Sequence, residues 1–571
     1  MAIGARRARR PSWLLLAVGA ALIVAGSALA AFVQTAGGVR VENVRFRGAD
    51  GTVFSALLYT PPNATPATPA PGVLAVHGYI NTRETQSGFA IEFARRGYVV
   101  LALDQRGHGY SGGAATEDGF GGPEGLAYLR ALPVVDPANI GLEGHSMGGW
   151  TVLAAAAAQP DGYRAMVLEG SSVGPPFSQP GSAAWPRNVA VVFSRYDEFA
   201  PLMWGAADAR RVGESETLQA LFGADGPVQT GRLYGDIAAG TARALFTPAT
   251  THPGDHISPE AIGDSLDWFA RTLRGGTSRP ASDQIWPWKE VGTGIALLGV
   301  FLLMAGAFEA LLALPLFAPL RGAPEPVRGR RDGRWWALLL LGAFIPAVSF
   351  YAALLTLPPP LAPSVAFPQA INNWLTLWAL ANAAIALLLG WALGRRARRS
   401  RKVPLARAAL LAAAVLAAVY LAAVMAGRVN VDFRFWIVAV KPMSGRQALA
   451  FLAYLIPFTA FVWVAFRGAT ALLREGQGAL SQHLTAIAAL TLGFVVLTGL
   501  QYTALFANGA LPLPFEALNV IVALQFIPLL TALAMLCIFT WRRTGSHAPG
   551  ALLCGAFITW YVVAGAATHV G

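Results

Sequence analysis

The chain has 571 residues, 55% of them hydrophobic and 13% charged, with a mean hydropathy of +0.49 and a net charge of +12. That is too apolar for one soluble protein and too uneven for a pure membrane bundle. The positive charge does not signal nucleic acid, because no basic face with interleaved aromatics is present. The cations stand instead in short clusters between apolar segments: Arg6, Arg7, Arg9 and Arg10; Arg328, Arg330, Arg331 and Arg334; Arg395, Arg396, Arg398, Arg399, Arg401 and Lys402; Arg542 and Arg543. Clusters so placed are the mark of a membrane protein's cytoplasmic connections. The two cysteines, Cys537 and Cys554, lie in apolar segments and offer neither a disulfide framework nor metal-ligand spacing.

The N-terminus is basic and then apolar from Trp13 to Val33, a run long enough to span a bilayer. The rival reading is a secretory signal, with small residues for cleavage at Ser27, Ala28 and Ala30 and paired arginines of the twin-arginine kind. The run is long for a signal's apolar core, so residues 1–33 read as an uncleaved anchor. Either reading sends the next domain out of the cytoplasm.

Residues 34–286 alternate strand and helix. "VRVENVRF" and "TVFSALLYT" open as paired strands, and "NATPATPAP" is a proline-rich loop. "GVLAVHG" is a continuous apolar run, as in a strand buried on both faces. "SGFAIEFARRG" has helical spacing and stops at Gly97. The alternation continues through "YVVLALD", "GPEGLAYLRAL", "NIGLEG", "MGGWTVLAAAAA", "YRAMVLEG", "NVAVVFSRYD" and "ARALFTPATTH" to a closing helix at "SPEAIGDSLDWFARTL". That order predicts a mostly parallel, doubly wound sheet with helices on both faces.

Gly144-His145-Ser146-Met147-Gly148 falls between a predicted strand and a predicted helix. A serine at such a turn projects above the sheet, and glycines two residues to either side let the chain pack around it. Serine is a poor nucleophile without a base and an acid to orient that base. Asp197 follows the strand "NVAVVFSRY", and His256 follows "TPATTHPGD" just before the closing helix. The order Ser146, Asp197, His256 is the chain order such a fold requires. Glu169 and Glu198 are the spare acids and His252 the spare histidine. The oxyanion donors fall to the backbone N–H groups of Met147 and Tyr79, with His77 and Gly78 shaping the second loop and His145 a packing residue.

"HGY" at 77–79, "DQRGHGYSGG" at 104–113 and "GHSMGG" at 144–149, with Asp197 and His256, resemble the α/β-hydrolase superfamily over residues 40–275. The resemblance implies an α/β-hydrolase fold and an esterase- or lipase-like serine hydrolase that works through an acyl-enzyme without a cofactor or metal. Two departures stand out. Only "SVGPPFSQPGSAAWPR" occupies the place of a cap domain, while a long insert, "DARRVGESETLQALFGADGPVQTGRLYGDIAAG", separates Asp197 from His256. The insert reads as a lid or a membrane-facing surface.

Residues 287–571 resemble no family, and eight apolar segments divide them: 291–318, 335–357, 371–394, 405–426, 448–466, 484–506, 518–541 and 549–568. With the N-terminus inside, the connections 319–334, 395–404, 467–483 and 542–548 are cytoplasmic, and each carries Arg or Lys. Of the outer connections 358–370, 427–447 and 507–517, only 427–447 breaks the pattern, with Arg428, Arg434, Lys441 and Arg446. The expected arrangement is a multi-pass protein of the cell membrane with about nine helices and an outer soluble domain. Glu309, inside "LLMAGAFEALLAL", is an intramembrane acid and hence a functional candidate or a carboxyl paired within the bundle. Asn372, Asn373 and Gln501 are expected to hydrogen-bond between helices. The leading reading is a membrane-bound serine hydrolase of a small-molecule or lipid ester. The alternative is a transporting or sensing bundle whose outer domain binds or modifies the cargo, with Glu309 its only sequence support.

Overall fold

The computed structural model describes residues 13–325, 328–356, 361–392 and 401–570. The cations at Arg6, Arg7, Arg9, Arg10, Arg395, Arg396, Arg398 and Arg399 lie outside these. Helix α1 (Trp13–Gln34) leads into an α/β domain of β1 (Arg40–Arg47), β2 (Val53–Thr60), β3 (Ala70–Val76), α2 (Ser87–Arg95), β4 (Val99–Leu103), α3 (Gly122–Arg130), β5 (Val135–His145), α4 (Met147–Ala158), β6 (Ala165–Glu169), β7 (Val189–Val192), α5 (Ala200–Trp204), α6 (Glu216–Phe222), β8 (Leu233–Tyr234), β9 (Arg243–Phe246) and α7 (Pro259–Thr272).

These strands form one sheet in the order β1-β2-β4-β3-β5-β6-β7-β9-β8. From β4 to β9 all neighbours are parallel, and the pairs β1/β2, β2/β4 and β9/β8 are antiparallel. Every residue of β3, β4, β6 and β7 is buried, which explains the predominance of Val, Leu and Ala in them. Helices α3 and α4 cover one face and α2 and α7 the other. The edge strand β8 belongs to the insert and is only two residues long, too short to leave a periodic signal.

Eight further helices follow: α8 (Trp286–Leu312), α9 (Gly333–Thr356), α10 (Ala370–Ala392), α11 (Leu405–Gly427), α12 (Gly445–Ala471), α13 (Ala479–Asn508), α14 (Ala517–Thr544) and α15 (Ala548–Gly565). With α1 they make nine helices, among the described residues, that are long and apolar enough to cross a membrane. Small residues bring α1 and α8 together. A Cβ on Gly26 would lie 2.4 Å from the Gly292 carbonyl oxygen, and one on Gly299 would lie 2.8 Å from that of Gly19. Backbones this close gain packing that larger side chains would forbid.

The connections segregate by end. At one end of the bundle the Gly322 N–H donates to the Arg543 carbonyl (3.1 Å), Arg401 Nη1 to that of Thr544 (3.0 Å) and Arg331 Nη2 to Ser481 Oγ (3.3 Å). The α/β domain sits on the other end. There Asn430 Nδ2 donates to the Val41 carbonyl (3.0 Å), Tyr110 Oη to that of Pro442 (2.9 Å) and Trp436 Nε1 to that of Pro253 (2.6 Å). The cationic connection at 427–447 thus has a physical account. It carries the hairpin β10 (Phe433–Phe435) and β11 (Val438–Val440), and two of its cations, Lys441 and Arg446, bond to the α/β domain. Lys441 Nζ lies 2.7 Å from Glu84 Oε2 of the α/β domain, and Arg434 pairs with Asp432 at 2.7 Å.

Glu84 and Lys441 are both buried. Burial by itself raises the Glu84 carboxyl, but the Lys441 ammonium and the Arg83 guanidinium outweigh it and hold Glu84 well below the usual carboxylate range. Removing one member of such a pair strands the other. Lys441→Met is therefore expected to destabilise the full chain in detergent by about 3 kcal/mol, the low end because Arg83 Nε remains 3.3 Å from Glu84 Oε1. Thermal unfolding measures the loss, and Glu84→Gln added to Lys441→Met should restore much of it.

Candidate active site

The β5–α4 turn places Ser146 at φ 55° and ψ −122°. A non-glycine residue in that region costs on the order of 1–3 kcal/mol, and such strain collects at functional sites. The flanking glycines permit the turn sterically. A Cβ on Gly144 would stand 2.2 Å from the Gly148 carbonyl oxygen, and one on Gly148 would stand 2.2 Å from that of Val76. Met147 opens α4, so its N–H is among the first-turn donors without a helical acceptor.

Gly78, Tyr79, Ser146 and Met147 border one cavity of about 340 Å³. The expected oxyanion residues are thus assembled beside the serine. Gly78 approaches closely: a Cβ there would lie 3.1 Å from Ser146 Cβ. His77 shapes this loop as anticipated. Its Nδ1 donates to the Gly78 carbonyl (2.7 Å) and its Nε2 accepts the Gln105 N–H (3.1 Å).

Asp197 pairs with His252 and not with His256. His252 Nδ1 donates to Asp197 Oδ2 at 2.9 Å, and Asp197 Oδ1 accepts the Phe199 N–H at 2.7 Å. The reason is sheet register. Tyr196 and Thr251 form a parallel bridge just beyond β7 and β9, which sets the next residues, Asp197 and His252, side by side. His256 lies one turn later in the short helix His252–Ile257. Its ring centroid is 4.1 Å from that of His145, and neither of its ring nitrogens finds a partner among the described residues. The expected partner of Asp197, His256, is thus replaced in the structure by His252. Both rings border the Ser146 cavity, and no hydrogen bond joins Ser146 Oγ to either.

Burial lowers the His252 imidazole to about 4 against the opposing charge of Asp255, and it raises Asp197, with Asp255 adding to that effect. His252 is thus neutral at neutral pH, the form a general base needs. The acid limb of kcat/KM on a water-soluble ester should accordingly lie below an ordinary imidazole's 6.5. Activity should persist as pH falls to about 5 and drop to half only near about 4; a limb at or above the ordinary value would contradict a base role for His252.

Two residues at this site, Tyr502 and Asp255, escaped sequence reading. Glu198 Oε2 accepts the His252 backbone N–H (2.8 Å), and Glu198 Oε1 accepts Tyr502 Oη from α13 (2.8 Å). Asp255 receives the Ser194 hydroxyl and lies 3.5 Å from His145 Nε2. The short "HPGDH" spacing was the available hint for Asp255; nothing local points to Tyr502. Glu169 stands apart, accepting Ser265 Oγ at 2.9 Å. His145, His252 and Asp255 bring possible ligand atoms within 4.8 Å of one another. His252 Nδ1 is already engaged by Asp197, and His145 Nε2 faces the His252 carbonyl at 3.0 Å.

Other candidates resolve differently. Glu309 Oε1 accepts Arg543 Nε at 3.0 Å near the end of α8, so the carboxyl is paired within the bundle. Asn372 donates to the Val562 carbonyl on α15 (3.2 Å), and Asn373 accepts Tyr454 Oη from α12 (2.6 Å); both bond between helices. The insert after Asp197 rests against the bundle, with the Ala209 N–H donating to the Gly509 carbonyl at 3.3 Å.

The family model described as serine aminopeptidase, S33, matches residues 67–207. The monoacylglycerol lipase of Mycolicibacterium smegmatis is 34% identical over 187 residues, which are 32% of this chain and 64% of that protein. The chain thus spans a little under two thirds of this relative's length. Among solved structures, an esterase of Pyrococcus furiosus aligns with a TM-score of 0.31 at 15% identity, covering 41% of this chain and 92% of that one. A hypothetical protein of Pseudomonas aeruginosa aligns with a TM-score of 0.22 at 27% identity, covering 23% and 43%.

Proposed function

From the α/β-hydrolase domain that residues 40–275 form, we propose that this chain is a membrane-bound serine hydrolase of carboxylic esters. One observation carries the reading: the strained Ser146 shares its cavity with a histidine that Asp197 orients. In the proposed reaction Ser146 Oγ attacks the ester carbonyl carbon while His252 Nε2 takes its proton. The N–H groups of Met147 and Tyr79 stabilise the oxyanion. The carbonyl–alcohol bond breaks, the alcohol leaves with the proton from His252, and water then cleaves the acyl-enzyme by the same exchange. Asp197 fixes the imidazole tautomer throughout.

A lipid acyl ester suits the apolar cavity wall and the neighbouring helices, and the relative described as a monoacylglycerol lipase favours it. The described connections around Arg331, Arg401 and Arg543 lie at the bundle end remote from the hydrolase domain, whereas the cations of 427–447 face that domain; the former favour a cytoplasmic N-terminus and an extracytoplasmic active site. The close packing of α1 along α8 favours a retained anchor over a cleaved signal. Incubating the full chain in detergent micelles with a fluorophosphonate probe tests the central claim. Covalent labelling of the wild type, with faster turnover of esters than of matched amides, is expected. A folded wild type that takes no label would sink it.

A further inference from the structure

The Ser146 cavity extends beyond the hydrolase domain. Its far wall is built by Ile437, Leu518, Ile521, Gln525 and His569, all supplied by the membrane half. A second cavity of about 70 Å³ adjoins it, with Ile80, Asn81, Ile437 and Gln525 bordering both. The two chambers differ in chemistry. The one at Ser146 is walled by Trp150, Phe177, Leu202, Met203 and Ile521, a lining suited to a hydrocarbon chain.

The second is lined by apolar Leu375, Val522 and Phe526 together with polar Asn372, Arg434 and Lys441. Asn372 is fully buried; its Nδ2 donates to Gln369 and Val562, yet its Oδ1 has no partner among the described residues. A buried acceptor left unpaired costs about 1–3 kcal/mol, so its presence in a chamber wall points to a donor that arrives with a ligand. Lys441 Nζ bonds to Glu84 and retains further donor capacity. Arg434 and Lys441 each face a carboxylate, Asp432 and Glu84, so these four residues present no net charge. The chamber has room for roughly five water-sized atoms.

We propose that this second chamber is the subsite for the alcohol half of the ester, and that it takes an uncharged headgroup bearing several hydroxyls. One hydroxyl donates to Asn372 Oδ1 and another accepts from Lys441, while the acyl chain lies against Trp150, Phe177 and Ile521. The proposal rests on the serine-hydrolase reading above. When the carbonyl–alcohol bond breaks, the alcohol takes its proton from His252 and is released into the membrane-domain chamber, and the acyl group stays on Ser146. The membrane helices then decide which alcohol is accepted, a role the hydrolase domain does not fill alone.

Two esters with the same acyl chain and different alcohols test this on the purified full chain in detergent: monooleoylglycerol and methyl oleate. Asn372→Leu should lower kcat/KM for monooleoylglycerol at least tenfold more than for methyl oleate. Ala439 lines only the second chamber, so Ala439→Phe should shift the ratio the same way if Asn372→Leu does not fold. A ratio within twofold of wild type in a folded variant overturns the subsite. Ser146→Ala separates the two readings: if it leaves both turnovers intact, or if the wild type hydrolyses neither ester, the hydrolase reading itself has failed.

Discussion

Ser146→Ala should abolish fluorophosphonate labelling and lower ester kcat by roughly a million-fold, while leaving the chain folded. The magnitude follows from the division of labour at the site. The acyl-enzyme cannot form without Oγ, and the histidine then has no proton to relay. The donors at Met147 and Tyr79 would remain, and such groups alone sustain about a thousand-fold acceleration over water. The fold should tolerate the change because Ser146 Oγ makes no hydrogen bond among the described residues and alanine is smaller than the serine it replaces. The measurement is turnover of a soluble ester and of a lipid ester by wild type and variant at equal expression, with circular dichroism as the check on folding. Retained labelling in Ser146→Ala would move the nucleophile elsewhere.

The two histidines should separate almost as widely. His252→Ala is expected to match the serine variant, roughly a million-fold in kcat, because base and nucleophile act as a unit. Asp197→Asn should cost about ten-thousand-fold by fixing the wrong tautomer of the same ring. His256→Ala should cost far less, since His256 makes no bond to Asp197 and touches His145 and Phe89 through its ring faces and edges. A larger loss for His256→Ala than for His252→Ala would return the base to the position the sequence favoured.

The outcome at these histidines shows where sequence reading stops. The elbow was legible because Gly144, Ser146 and Gly148 lie within five residues of one another, between a strand and a helix of clear pattern. Asp197 was legible because the acid follows a specific strand. His252 and His256 are one helical turn apart in a loop, and which ring reaches Asp197 depends on the Tyr196–Thr251 bridge, a pairing of distant residues with no local signature. The apolar helices could be read from length and hydropathy alone. Their contacts with the hydrolase domain could not: Lys441 meets Glu84 across 357 residues and Tyr502 meets Glu198 across 304. The same blindness left 427–447 as an unexplained break in the charge pattern, since Lys441 and Arg434 meet carboxylates that no membrane rule knows about.

The cavity's division between the two halves has a consequence for biogenesis. Translation supplies residues 78–256 early and residues 437–569 late. A nascent or truncated chain holding only the first set has its serine and histidine but not the wall of Ile437, Leu518, Ile521, Gln525 and His569. The strand-like contact of Thr568 with Gly107 and Ala115 (2.8 and 2.7 Å) is among the last to become available. The cavity at Ser146 is therefore completed only once residues 437–569 are in place.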